Sequence, residues 1–156
     1  MSADAIVQNV RRPNALLPIL VGGVVAGSLD LTSAFITYGW GVPRGIASGL
    51  LGSRSFQGGL TTWILGVFLQ YFIASSAAAI YYVASRKLEF LKSHFLVCGL
   101  FYGIAVFLVL NLIVLPLSAF PFKAGPFTVA QLIQGLLVHM VLIGLPISYS
   151  VCRFSA

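Results

Sequence analysis

Apolar residues run along this chain in four long blocks, separated by short stretches rich in glycine, proline or basic residues. The blocks cover about residues 15–38, 60–84, 95–117 and 128–151. Each reaches the roughly 20 apolar residues that a helix needs to cross a bilayer core. The ten-residue alternation of membrane β-barrel strands is absent. Lipid-exposed sheet edges are excluded, because each unpaired backbone group costs several kcal/mol in hydrocarbon. The pattern predicts an all-α, integral membrane four-helix bundle. Residues 1–14 form a cytoplasmic N-terminal tail, and 15–156 a single four-helix transmembrane domain.

The connections differ in kind. Residues 85–94 make a short basic turn. Residues 39–59 are longer and carry seven glycines. Within them Pro43 suits a first helical position and Gly52 a stop, which predicts a short helix over 43–52. Ile46, Ala47, Leu50 and Leu51 would share one face, with Arg44, Ser48 and Gly49 on the other. That pattern describes an interfacial or re-entrant helix in the first outer loop. The second outer connection, PLSAFPFKAGPF, alternates proline with phenylalanine and suits the headgroup region, since proline carries no backbone donor.

Composition makes the solvent plain. Of 156 residues, 59% are hydrophobic and 8% charged, with a mean hydropathy of +1.01. Soluble domains carry roughly 25% charged residues. Nine basic residues oppose three acidic ones (Asp4, Asp30, Glu89), but they are scattered between apolar runs, so no nucleic-acid partner is expected. Their placement reads as orientation. Arg11, Arg12, Arg86, Lys87, Lys92 and Arg153 fall on one side, and Arg44, Arg54 and Lys123 on the other, which puts both termini in the cytoplasm. Tyr38, Trp40 and Trp63 then mark the outer interface, and Tyr81, Tyr82 and Tyr149 the inner one. The first apolar run outlasts a signal-peptide core, so the first helix is expected to stay as an anchor. Cys98 and Cys152 make no metal or dithiol spacing and are expected to be reduced near the cytoplasmic side.

The two halves echo each other. Spans one and three carry GxxxG pairs, Gly23/Gly27 and Gly99/Gly103, followed by Asp30 or Asn111. Spans two and four place a glycine four residues before a polar side chain, as Gly66/Gln70 and Gly135/His139. Parallel hairpin repeats about an axis along the membrane normal would produce this.

One polar residue is singled out in each span: Asp30, Gln70, Asn111 and His139. Asp30 shares a helix face with Gly23 and Gly27. A carboxylate at that depth costs about 2.5–3.5 kcal/mol on insertion scales, so it should be paired or protonated. It is either a proton or cation site or an interhelical hydrogen bond. His139 lies about 18 Å in depth from His94 at 1.5 Å per residue, which excludes a bis-histidine haem within the chain. Gln70 and Asn111 are good interhelical glue. The expectation is one intramembrane polar cluster of Asp30, Gln70, Asn111 and His139, extended by Tyr71 and Tyr102. Depth counted from the helix ends pairs Asn111 with Asp30, and Gln70 with His139. No catalytic, metal or cofactor site is expected: the acids, cysteine pairs and sequence motifs such chemistry needs are missing.

Three stretches, GGVVAGSLDLTSA, RGIASGLLGSRSFQGG, and NLIVLPLSAFPF with VHMVLIGLPIS, together resemble a family of small uncharacterised bacterial four-helix inner-membrane proteins. The resemblance implies a bacterial inner-membrane location and no mechanism. Two functions stay open. The first is a non-catalytic protein working through helix–helix contacts, as an accessory or scaffold subunit or a homo-oligomer. Two GxxxG faces on so small a bundle motivate it. The second is a small-solute or proton-coupled transporter built on the polar cluster. The partners expected are membrane lipid and either further copies or a larger membrane complex.

Overall fold

The computed structural model describes residues 15–122 and 128–155. The expected tail of residues 1–14, with Arg11 and Arg12, lies outside the described residues, as does Lys123. Helix α1 runs Leu16–Tyr38, α2 Val42–Leu51, α3 Gly59–Lys87, α4 Phe90–Ser93, α5 Phe95–Leu117 and α6 Val129–Phe154. Among the described residues every regular element is helical. Four of the helices, α1, α3, α5 and α6, are long and apolar enough to cross a membrane.

Helices α5 and α6 each change pitch partway. Residues Leu110–Val114 of α5 and His139–Gly144 of α6 wind as π-helix. Leu115 N–H reaches back five residues to the Leu110 carbonyl, and Leu145 N–H to that of Met140. A proline follows each time, Pro116 and Pro146. Proline has no N–H and its ring crowds the carbonyl four residues back, so the helix widens just before it.

The packing is a row of close pairs. Helix α3 lies on α1, α1 on α6, and α6 on α5. Glycines set each approach. A Cβ on Gly23 would meet Ser75 Cα at 2.7 Å, and one on Gly27 would meet the Tyr71 ring at 3.0 Å. Gly22 similarly lies against Ser150 of α6. Gly99 faces Ser148 and Gly144, and Gly103 faces the backbone of His139 and Met140. Both GxxxG faces are therefore consumed inside the chain, and neither remains as the surplus contact surface the sequence suggested.

Helix α2 fills the remaining gap at one end of the bundle. The Pro43 carbonyl sits directly over Gly66 of α3, and the Gly49 carbonyl accepts Ala119 N–H at 2.8 Å from just past α5. The expected faces of α2 are corrected here. Pro43, Ala47 and Ser48 are the buried residues, whereas Leu50 and Leu51 are exposed. Close approach to a glycine selects small side chains inward and turns the leucines out.

The buried core concentrates at the other end, which holds the start of α1, the end of α6 and α4. Ala26, Ala77, Ala78, Tyr81, Ile143, Ile147 and Val151 meet there. Ser150 Oγ donates to the Pro18 carbonyl at 2.9 Å within it. By contrast, the first ten residues of α6, Val129–Val138, bury no side chain.

Candidate functional site

The α1–α3 interface is built upward from its glycines. With Gly23 on Ser75 and Gly27 on Tyr71, the antiparallel register brings Ser28 and Asp30 opposite Tyr71 and Gln70. Gln70 Nε2 donates to Asp30 Oδ2 at 2.6 Å. Beside it, the Ser28 and Tyr71 hydroxyls share a hydrogen bond of 2.9 Å. All four residues are half-buried. At 2.6 Å this amide-to-carboxyl contact is a short hydrogen bond. Toward the α2 end the same interface closes with aromatic rings. Phe35 meets Trp40 at 4.5 Å, and Trp63 Nε1 donates to the Trp40 carbonyl at 3.0 Å.

Asn111 and His139 behave differently. Asn111 Nδ2 donates to the Phe107 carbonyl of its own helix at 2.8 Å. His139 Nδ1 lies 2.9 Å from the Gly135 carbonyl, also in its own helix. A carbonyl only accepts, so Nδ1 is the donor in this hydrogen bond. The imidazole stands edge-on to the Phe107 ring at 5.2 Å. Both residues occupy π-helical segments, where backbone bonding loosens.

The four predicted residues therefore divide into two groups. Asp30 and Gln70 bond across a helix pair. Asn111 and His139 are linked through Phe107, which offers its carbonyl to one and its ring to the other. The expected Asp30–Asn111 and Gln70–His139 pairings give way to Gln70 on Asp30. Depth counted from helix ends misled, because α3 has 29 residues to the 23 of α1, so their ends do not lie at one level. Of the two tyrosines expected to extend the cluster, Tyr71 adjoins it. Tyr102 instead donates to the Ala77 carbonyl at 2.7 Å in the terminal half.

Ser75 and Phe107 were not singled out in the sequence. Ser75 lies four residues past Tyr71 on the same face of α3, a spacing that marks it as a neighbour. Phe107 precedes Asn111 by the same interval, the reach of a side chain to its own helix carbonyl. Among the described residues no group of three or more His, Cys, Asp or Glu is placed to hold a metal ion. Cys98 and Cys152 are both free thiols and half-buried. No family model, curated protein or solved structure matches this chain.

Proposed function

We propose that this chain is a multi-pass protein of a bacterial inner membrane, with both termini cytoplasmic, that acts without catalysis through helix–helix contacts as a subunit or homo-oligomer. The observation that carries the reading is the outer half of α6. No residue of Val129–Val138 is fully buried, and Val129–Gln134 are all exposed, yet Gln134 lies more than a turn inside the helix. Among the described residues that amide has one partner, a long contact of 3.5 Å from Nε2 to Thr37 Oγ1, and both side chains are exposed. In hydrocarbon a glutamine amide gains about 0.6–2 kcal/mol by bonding to a neighbouring helix. This face therefore suits a partner helix, whereas the GxxxG faces are already occupied.

The particle size in mild detergent tests it. A stoichiometric larger partner or a symmetric oligomer, weakened by Gln134→Leu, is the expected result. A monodisperse monomer overturns the reading. Orientation is tested by impermeant thiol labelling of intact cells, using cysteines introduced at the exposed Ser53 and Ser93 in a background lacking Cys98 and Cys152. Position 53 should label and position 93 should not.

A second reading, proton-coupled transport, draws on one specific observation. The hydrogen-bond partner of the Asp30 carboxyl is a neutral amide, so a proton can come and go without breaking an ion pair. Asp30→Asn in proteoliposomes should then fold normally and lose proton flux. Unchanged flux removes this reading.

A further inference from the structure

At the terminal end, side chains of α3 and α5 meet, with the Tyr102 ring edge-on to Tyr81 at 4.9 Å. Between them runs an open groove of about 610 Å³. Tyr81 and Ala84 form one wall, Cys98, Tyr102 and Ala105 the other, and His94 stands at the mouth. Its polar groups are turned into the protein. Tyr81 Oη donates to the Leu91 carbonyl at 2.9 Å, Tyr102 Oη to that of Ala77 at 2.7 Å, and Cys98 Sγ to that of Phe90 at 3.8 Å. What the groove offers an occupant is carbon. From His94 to Ala105 it follows α5 for about 16 Å at 1.5 Å per residue. Half of a bilayer's hydrocarbon core is about 15 Å. The groove is one leaflet deep.

The mouth is basic. Arg86 and Lys87 end α3 just past Ala84, and Lys92 adjoins Leu91, which also lines the groove. Arg86 and Lys87 are exposed, and no ion pair engages the three among the described residues. Among the described residues Glu89 is the one acid nearby, and it leaves the rim net positive.

We propose that this groove seats one acyl chain of an anionic phospholipid, with the lipid phosphate held over its mouth by Arg86, Lys87 and Lys92. Apolar depth matches the chain, and charge matches the headgroup. Each basic side chain at a membrane surface is worth about a fivefold preference for anionic lipid. The site lies on a different surface from the outer half of α6, so it stands or falls apart from the partner reading.

The test uses the full chain in detergent, with native mass spectrometry after adding phosphatidylglycerol, phosphatidylcholine of the same chains, or glycerol phosphate. Phosphatidylglycerol should be retained at least about tenfold more tightly than phosphatidylcholine, and glycerol phosphate should not bind. Neutralising Arg86, Lys87 and Lys92 to glutamine should bring the lipid ratio close to one. Ala84→Trp, or Ala105→Phe should the first variant misfold, fills the groove and should abolish lipid retention with all charges in place. Equal retention of the two lipids by the unaltered chain overturns the proposal. So does undiminished phosphatidylglycerol binding in a folded groove-filling variant.

Discussion

The two hairpins of this molecule share a plan and spend their polar residues in opposite ways. In the first, α1 and α3 meet over Gly23 and Gly27, and Asp30 and Gln70 then bond from one helix to the other. In the second, α5 and α6 meet over Gly99, Gly103 and Gly144 even more closely, backbone on backbone. There Asn111 and His139 turn back on their own helices. The difference follows from the prolines. Pro116 and Pro146 remove N–H groups from α5 and α6, and the π turns before them loosen the backbone where Asn111 and His139 sit. Asp30 and Gln70 lie in regular α-helix outside any π segment, and their side chains reach across. Glycines set how near two helices come. Prolines decide whether a polar side chain serves the neighbour or its own backbone.

The largest expected effect tests the backbone contact of the second hairpin. A Cβ at Gly103 would lie 2.5 Å from Met140 Cα and closer still to the His139 carbonyl. Backbone atoms cannot swing aside, so Gly103→Val should destabilise by about 3 kcal/mol or more. Gly27→Ala meets the Tyr71 ring at 3.0 Å, a side chain that can yield, and should cost about 1 kcal/mol. Reversible unfolding in mixed micelles would rank the two. Equal tolerance at both sites would mean that α5 and α6 stand farther apart than their glycines indicate.

How much of this was legible is clearest at particular residues. The four apolar runs and the Pro43-to-Gly52 helix were readable because bilayer thickness and proline placement act locally. The third span, 95–117, coincides with α5. What stayed hidden is register between helices. Asp30 was placed beside Asn111 by counting from helix ends, but the offset of α3 against α1 is set by Gly23 on Ser75, a contact between residues 52 positions apart. Which residues of α2 turn inward stayed hidden for a related reason. Ala47 and Ser48 were placed on opposite faces when the helix was viewed alone, and the contact with Gly66 on α3 makes Pro43, Ala47 and Ser48 the inner face. The π segments had a visible cue in Pro146, eight residues before the end of α6.

The next effect concerns the bond across the first hairpin. Asp30→Leu leaves the Gln70 amide without its acceptor inside the interface, at an expected cost of about 1–3 kcal/mol. Asp30→Asn keeps an oxygen in place and should cost less than half as much. A double-mutant cycle of Asp30→Leu with Gln70→Leu should give a coupling of about 0.6–1.7 kcal/mol, the range for hydrogen bonds between membrane helices. Additivity would dissolve the contrast between the hairpins, because the amide would then be equally content elsewhere.

The smallest effects belong to Asn111 and His139, and they are the sharpest test of the comparison. The carbonyls these side chains reach are not dependent on them. The Phe107 carbonyl also accepts Leu110 N–H, and the Gly135 carbonyl accepts His139 N–H. Asn111→Leu therefore removes a second donor rather than the last one, and the expected loss is about 0.5 kcal/mol. His139→Phe keeps an aromatic edge toward the Phe107 ring and should stay within about 1 kcal/mol. Each side chain bonds within its own helix, so the double variant should be additive within about 0.5 kcal/mol, even though both touch Phe107. A coupling above about 1 kcal/mol would mean that Asn111 and His139 act on each other. The second hairpin would then be cross-linked by its polar residues as the first is, and the prolines would no longer account for the difference.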